Sequence, residues 1–460
     1  MKDISKIISI TFLTISITLL FYIYFRDEVI NSGLKHNYYK NYYFFTFFAI
    51  LVSTVSFFIK DKFKINFSII LFSSILALYT VETFFFFKSS HYQVLKADIK
   101  FDIRTKLDFF IDYKKKNPEV VVSVSPDRFI AEQEKIIMPL SGISKKETIL
   151  CNENGYFSTF NSDRYGFNNP DHVWDKKGDT FLLIGDSFVN GSCVNEKNTI
   201  SSYLRNLKIT NNIINIGYSG NGPLREYASL REYLHLTNTK KVFWFYYEGN
   251  DLIDLEDELK NDVLKKYLKN INFKQNLKDK QNVLDNKIYN SIDKELKKKL
   301  KDKEQEFKIS FPESLRLNLL IFQNLFKLYN VRQLLKVSFN KNKTKDSLIE
   351  DLNPNFQKIL NLTKELVEKN DAKLYFIYLP EFNRYKSRKK IRLDDHNKLE
   401  YNSVIKTVTN LNIPIIDIHQ EIFKKYKDPL KFFPFKSPYH YTEEMYKMIS
   451  QNIVQRISDK

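Results

Sequence analysis

The chain has 460 residues, a formal net charge of +18 at pH 7, and only two cysteines. This length is enough for one large domain with additional segments. The basic excess is spread along the chain and forms no dense block of Arg and aromatic residues. It therefore indicates a solvated surface facing an anionic membrane or glycan, and we expect no nucleic-acid partner.

The chain begins with three long apolar runs, residues 7–25, 41–59 and 65–87. Each is long enough to cross a hydrocarbon core of about 30 Å. A cleaved signal peptide is the alternative for the first run, but that run is too long, no small-residue cleavage site follows it, and two more runs come after it. The sequence therefore predicts a three-helix membrane anchor over residues 1–88.

The orientation of this anchor follows from its basic loop. Lys60, Lys62 and Lys64 lie between the second and third runs, so this loop should be cytoplasmic. Three crossings then predict a multi-pass protein of a bacterial inner membrane whose remaining chain faces the periplasm. In that oxidising compartment Cys151 and Cys193 can form one disulfide, and two unpaired buried thiols are the open alternative.

The rest of the chain changes its pattern at residue 178. Residues 89–177 indicate a periplasmic linker with edge segments, whereas residues 178–251 and 346–460 alternate apolar strands with amphipathic helices. This alternation predicts an α/β domain with a parallel sheet covered on both faces. We predict strands over 180–184, 212–216, 241–247, 373–379 and 413–418, and helices over 199–207, 223–236, 355–368, 398–409 and 441–456.

A helical insertion interrupts this domain over residues 252–345. Lys and acidic residues dominate it, with Leu and Tyr at helical intervals. It is either a lid or glycan-facing surface, or a solvated helical hairpin. The sequence leaves both interpretations open.

Polar residues with chemical potential follow three successive strands of this domain. Ser187 comes after the first strand through Gly185 and Asp186, at the sheet edge where sites form and where a helix N-terminus can stabilise an anion. The segment "NIGYSGNGP" follows the second strand, and "YYEGND", with Asn250, follows the third. Acyl transfer needs several donors that converge on one developing oxyanion, and a serine, a glycine N–H and an asparagine amide can supply them.

A serine hydroxyl also needs a base, because it is a weak nucleophile when neutral. Among the seven histidines, His440 is the best candidate, since it lies in a loop after the last strand and before the closing helix. Such a loop can bring the imidazole to Ser187. His419, which follows Asp417 near the end of the last strand, is the reserve candidate.

These motifs resemble a known family. "GDSFVNG", "SGNG", "EGND" and the late His440 resemble, in order, the four blocks of the SGNH/GDSL serine hydrolases across about residues 178–458. The resemblance implies a flavodoxin-like three-layer α/β/α fold without a cofactor. It also implies that Ser187 is the nucleophile, supported by Asp186, and that His440 is the general base. The oxyanion hole would consist of the Ser187 N–H, the Gly220 N–H and the Asn250 side chain.

One further feature extends this resemblance to a subgroup of the family, and another departs from the family pattern. Cys151, "SDRYGF" at 162–167 and Cys193 look like a subgroup of membrane-anchored bacterial members. The family usually has an Asp three residues before the histidine, and Ser437 stands there in this chain. Ser437 could hold the ring by a weaker hydrogen bond, Asp395 or Asp417 could replace the acid, or the domain could have lost turnover.

The sequence therefore favours a membrane-tethered serine esterase or O-acyltransferase that acts on acyl groups, chiefly acetyl, of cell-envelope glycans. An acyl donor could arrive through a separate membrane protein. A catalytically silent glycan-binding or scaffolding protein is the main alternative, and a lipase or thioesterase is a weaker one. We expect no metal, because no His/Cys/Asp cluster has the spacing of metal ligands.

Overall fold

The computed structural model describes residues 2–30, 33, 36–87, 101–102, 104–130, 137–210, 212–304, 325–332, 352–385 and 393–458. The chain divides into two compact units. The helical unit comprises residues 1–92 and 295–344, and the sheet unit comprises residues 93–294 and 345–460.

The helical unit contains three long helices near the start of the chain. Their bounds are Lys2–Tyr24, continued by a π-helical turn at Phe25–Ile30, His36–Ser56 and Asp61–Phe87. Within the described residues, two segments are long and apolar enough to cross a membrane, Asp3–Val29 and Asp61–Phe87.

The prediction of three membrane spans is therefore corrected to two candidates. The apolar run 41–59 does not coincide with its helix, which begins at His36 and ends at Ser56. The helix ends before the apolar residues 57–59, and it begins with a polar part, HNYYKNYY, at 36–43. This shift lowers the hydropathy of the helix.

Glu82, near the end of the helix Asp61–Phe87, has specific partners within the helical unit. Glu82 is fully buried, and its carboxylate accepts hydrogen bonds from the backbone N–H groups of Asn330 (3.0 Å) and Val331 (2.8 Å). Burial of a carboxylate is tolerated when such donors satisfy it. The predicted insertion 252–345 is divided between the two units, because its residues 295–344 belong to the helical unit and the others to the sheet unit.

The sheet unit is built around a parallel sheet. Among the described residues its five strands are β4 (Thr180–Ile184), β5 (Asn212–Asn215), β6 (Thr239–Tyr247), β7 (Lys373–Leu379) and β8 (Ile415–Asp417). Their order in the sheet is β5-β4-β6-β7-β8, which is the flavodoxin-like 2-1-3-4-5 order. The α/β prediction with a parallel sheet is confirmed.

Two hydrophobic cores cover the two faces of this sheet. Alternate residues of a strand point to opposite faces, so Leu182 and Trp244 belong to one core, and Leu183 and Phe243 to the other. Helices Pro223–Tyr233, Pro354–Lys369 and Leu393–Asn410 cover the first face, and helices Ile200–Asn206 and Glu443–Ser458 cover the second. The remaining α-helices of the sheet unit are Lys106–Lys114, Ser187–Asn190, Asp251–Glu258, Asp262–Lys269 and Ile418–Glu421, together with residues 281–294 of the helix Gln281–Glu304.

The segment predicted as a linker with edge segments, 89–177, belongs to the sheet unit from residue 93 onward. It forms a small second sheet from β1 (Val121–Val122), β2 (Glu147–Ile149) and β3 (Thr159–Asn161). Phe167 is fully buried in the first core, and Asn169 accepts a 2.9 Å hydrogen bond from the backbone N–H of Asn215 in β5. Its Gly, Asn and Asp content suggested loops, but these residues make tertiary contacts.

The part of the predicted insertion that belongs to the sheet unit is also packed. Leu255, Leu264 and Leu284, from three successive helices, are buried in the first core. Neither a free lid nor a purely solvated hairpin describes residues 252–294, because their apolar positions complete the core.

Candidate active site

The turn after β4 presents Ser187 at the carboxyl edge of the sheet. β4 lies between β5 and β6, where the strand order reverses and ligands bind in open α/β sheets. Gly185 makes the turn with φ +157°, and a Cβ there would lie 2.5 Å from Cγ2 of Val189. Only glycine fits this close approach.

Asp186 shapes the first residues after this turn. Its carboxylate caps the following helix by accepting a 2.9 Å hydrogen bond from the backbone N–H of Phe188. That helix, Ser187–Asn190, has only four residues. The expected helix N-terminal field at Ser187 is therefore weaker than that of a long helix, because few peptide dipoles add to it.

The structure brings Ser187 and His440 into direct contact. His440 Nε2 lies 2.9 Å from Ser187 Oγ. Asp186 Oδ2 is the other acceptor near this hydroxyl, at 3.3 Å. A serine has one hydroxyl hydrogen, and the shorter contact favours donation to the imidazole.

The other ring nitrogen of His440 meets an acid that the sequence interpretation missed. His440 Nδ1 lies 2.9 Å from Glu153 Oε2, and the same oxygen accepts a 2.7 Å hydrogen bond from the His440 backbone N–H. The two side chains are 22% and 18% exposed, respectively. A carboxylate at this position sets the tautomer in which Nδ1 carries the hydrogen and Nε2 is free to accept one.

Burial and charge act in opposite directions on this imidazole. Burial alone lowers the pKa of His440, but the Glu153 carboxylate and, more weakly, Asp186 outweigh it, so the pKa is raised above the ordinary value. The Phe188 ring packs against the imidazole with centroids 4.8 Å apart, and Tyr247 stacks on Phe188 at 4.1 Å. The imidazole is thus fixed by both packing and hydrogen bonds.

Ser437 and Asp417, two of the residues proposed to take the place of the missing acid, have other hydrogen-bond partners. Ser437 donates its hydroxyl hydrogen to the carbonyl of Phe435 at 3.2 Å, so it does not hold the ring. Asp417 instead accepts hydrogen bonds from Tyr401 and from the backbone N–H of Gln420. The side chain of Asp395 lies outside the described part of the structure.

The reserve base, His419, belongs to a different environment. It is buried, and its Nδ1 lies 2.6 Å from the hydroxyl of Tyr385. Burial, with smaller effects of Arg384 and Lys424, lowers its pKa to about 4. These contacts give it a packing role away from Ser187.

The loop that carries Gly220 lies beside the Ser187 turn. The backbone N–H of Tyr218 donates to the carbonyl of Gly185 at 3.1 Å, and the hydroxyls of Ser219 and Ser192 are 2.7 Å apart. Gly220 itself has φ +82°, which places it in the left-handed region that favours glycine.

Asn250 follows β6, the other neighbour of β4. One Nδ2 hydrogen of Asn250 is donated to Asp254 Oδ2 at 2.7 Å, and an amide nitrogen carries a second. A Cβ on Gly222 would lie 2.7 Å from Cβ of Asp254, so the "SGNG" segment packs against the helix Asp251–Glu258 that follows Asn250. The three predicted donors therefore belong to adjoining loops at one edge of the sheet.

Buried acidic residues lie beneath these loops. Burial raises the pKa of Asp186 to about 6. Burial, followed by repulsion from Asp186 and Glu258, raises the pKa of Glu226 well above its usual range, and burial with repulsion from Glu226 does the same for Asp251. Burial thus favours the neutral form of Glu226 and Asp251, and of these three acids Asp186 is the one that also raises the pKa of His440.

The two cysteines form a disulfide, Cys151–Cys193. It lies at the site, since Sγ of Cys193 is 3.7 Å from His440 Nδ1. Ligand atoms of Glu153, Cys193 and His440 lie within 4.8 Å of one another, but a disulfide sulfur is not the thiolate that binds metals.

Neither a protein-family model nor a curated protein matches the sequence. The structure is similar to a lipolytic protein of the G-D-S-L family from Desulfitobacterium hafniense DCB-2, at 13% identity and a TM-score of 0.30, covering 60% of this chain and 98% of that one. It is also similar to an acetyl xylan esterase at 10% identity and a TM-score of 0.29, covering 60% and 99%.

Proposed function

We propose that the chain is a membrane-tethered serine esterase or O-acyltransferase that acts on acyl groups, chiefly acetyl, of cell-envelope glycans. The observation that carries this proposal is the 2.9 Å contact between Ser187 Oγ and His440 Nε2 at the carboxyl end of β4. A nucleophile and its base need such a contact, at about 2.6–3.2 Å.

The first half-reaction forms an acyl-serine. Ser187 Oγ attacks the acyl carbonyl carbon while its proton passes to His440 Nε2. The negative charge that develops on the carbonyl oxygen is stabilised by N–H donors, for which the Ser187 N–H, the Gly220 N–H and the Asn250 amide are the candidates. The bond to the leaving oxygen then breaks, and His440 donates its proton to that oxygen.

The second half-reaction decides between hydrolysis and transfer. Water or a sugar hydroxyl loses its proton to His440 and attacks the acyl-serine. The acyl group leaves on the acceptor, and the proton returns to Ser187. Water as acceptor makes the chain an esterase, and a glycan hydroxyl makes it a transferase.

The location at a bacterial inner membrane rests on two observations. The segments Asp3–Val29 and Asp61–Phe87 have the length and hydropathy of membrane spans. The disulfide Cys151–Cys193 in the sheet unit favours the periplasmic side, because disulfides persist in oxidising compartments. A donor protein in the same membrane would supply acyl groups if the reaction is a transfer.

The contact of Glu153 with His440 weakens the case for a catalytically silent binder. That case depended on Ser437, which stands where the family has an acid. A carboxylate 2.9 Å from Nδ1 removes this objection. No other observation favours a binder.

The decisive experiment is covalent labelling of the full chain, in detergent, with a fluorophosphonate probe. Wild type should be labelled, and Ser187→Ala should not. Ser202→Ala is the matched control, because its hydroxyl is in the same unit but donates to the carbonyl of Glu196. Absence of labelling in a folded wild-type chain would contradict the proposal.

A second assay separates the two reactions. The full chain is incubated with an acetylated aryl ester, with and without a glycan acceptor, while free acetate and acetylated glycan are measured. A transferase makes acetylated glycan at the expense of free acetate. An esterase releases acetate at the same rate with or without the acceptor.

A further inference from the structure

We propose that Glu153 is the positioning residue for His440 and that the Cys151–Cys193 disulfide holds it there, so that the reactivity of Ser187 depends on the oxidised state of this cysteine pair. This inference rests on the proposed function, because it concerns the same nucleophile and base. It assigns the disulfide a role at the site in addition to its role in the fold.

The geometry of Glu153 fits an orienting role. Its Oε2 atom accepts a hydrogen bond from the backbone N–H of His440 at 2.7 Å. The same oxygen lies 2.9 Å from the ring nitrogen Nδ1 of His440. The two contacts fix the ring about its Cα–Cβ bond and leave Nε2 directed at Ser187. The charge of Glu153 also raises the pKa of the imidazole against the effect of burial, which stabilises the imidazolium that forms when Ser187 loses its proton.

The disulfide connects the segment of the acid to the segment of the nucleophile. Glu153 is two residues beyond Cys151, and Cys193 is six residues beyond Ser187. Reduction of the disulfide would remove the covalent link between two segments that are far apart in the chain. Keeping such segments together without a link is entropically costly, because it closes a long loop. The contact between Glu153 and His440 would then have to be held by weaker bonds.

The weaker bonds join the Glu153 segment to other segments, and one of them, from the Tyr156 hydroxyl to Glu443, reaches the closing helix just after His440. The side-chain amide of Asn154 donates to the carbonyl of Cys193 at 2.9 Å, and that of Asn152 donates to the carbonyl of Asp102 at 2.6 Å. Cys193 has φ +62°, a conformation that non-glycine residues rarely adopt without restraint. Releasing the disulfide removes one such restraint from a residue that touches the imidazole.

The first test removes the charge of Glu153 and keeps its shape. Glu153→Gln should lower the rate of fluorophosphonate labelling at neutral pH by roughly tenfold or more. It should also move the acid limb of the labelling rate to lower pH, because loss of the carboxylate lets burial lower the pKa of His440. Glu147→Gln is the matched control, since Glu147 accepts hydrogen bonds from Tyr113 and Asn117.

The second test asks whether the disulfide acts through Glu153. A phosphine reductant converts the disulfide to two thiols and is itself oxidised, with an oxygen from water. Reduction, or the double change Cys151→Ala with Cys193→Ala, should slow labelling of wild type severalfold. The same changes should cost little in the Glu153→Gln background, because the effects of two residues on one contact are not additive.

The outcomes are distinguishable. Equal labelling of Glu153→Gln and wild type, or additive effects of the cysteine and glutamate changes, would overturn the inference and leave the proposed function standing. If the wild type is not labelled at all, the proposed function fails, and histidine NMR of the His440 pKa decides the inference alone. An unchanged pKa in Glu153→Gln would then reject it.

Discussion

The removal of Glu258 tests whether residues 252–294 stabilise the loops of the site. Glu258 ends the helix Asp251–Glu258, and it forms a fully buried ion pair with Arg225 at 2.6 Å. Its carboxylate also accepts hydrogen bonds from the backbone N–H groups of Gly222 (2.7 Å) and Leu224 (2.9 Å). It therefore caps the helix that begins at Pro223 and fastens the end of the "SGNG" loop.

The expected loss of stability follows from what is left behind. Glu258→Ala leaves the Arg225 charge buried without its partner, and breaking a buried pair in this way costs about 3–5 kcal/mol. Arg225→Met should cost less, about 1–2 kcal/mol, because the backbone donors still satisfy the carboxylate. Both Nη nitrogens of Arg225 also lack a partner within the described residues, so removing them relieves an existing cost.

The measurement is urea unfolding of the full chain in detergent, followed by tryptophan fluorescence. The two tryptophans, Trp174 and Trp244, both belong to the sheet unit, so the signal reports that unit alone. The midpoint should fall further for Glu258→Ala than for Arg225→Met at an unchanged m value. An equal or reversed order would refute the view that Glu258 is the cap and Arg225 its dispensable partner.

Three other changes test the geometry of the site. Gly185→Ala should destabilise the sheet unit by about 1–3 kcal/mol, because the new Cβ would lie 2.5 Å from Val189 Cγ2. It should also abolish labelling by the probe. Tryptophan fluorescence measures the first effect, and the labelling assay measures the second. Ser437→Ala should be labelled at nearly the wild-type rate, because its hydroxyl is bonded to Phe435, and a loss above tenfold would contradict this. His419→Gln should lower the unfolding midpoint but keep the labelling, and loss of labelling in the folded variant would restore His419 as a base.

The fold was largely predictable from the sequence because its strands are short apolar runs with clear ends. β4 and β7 begin and end where the pattern placed them, at Thr180–Ile184 and Lys373–Leu379. The helix bounds of the second predicted membrane span were not predictable, because an apolar run does not specify where its helix begins. Likewise, Phe167 and Asn169 are loop residues that are buried through contacts with distant parts of the chain, for which the local sequence carries no signal.

The contact between Ser187 and His440 was predictable because each residue directly follows or precedes a regular element of the sheet domain. Ser187 follows β4 directly, and His440 precedes the closing helix, so motif order placed both at one edge of the sheet. Glu153 has no such signal, because it lies in an irregular segment before the sheet begins. The only sequence feature pointing to it was its distance of two residues from Cys151, and that feature becomes informative only if the disulfide with Cys193 is assumed.

The orientation of an imidazole depends on where a carboxylate lies and not on the segment that supplies it. An acid three residues before His440 would belong to the same loop and would need no cross-link. Glu153 instead lies 287 residues before His440 in the chain, so its contact with Nδ1 requires its segment to be held beside the Ser187 turn. The disulfide to Cys193 provides that restraint, and Ser437 is free to serve the fold of its own loop. An acid supplied from a distance thus makes the site dependent on a covalent bond that a local acid would not need.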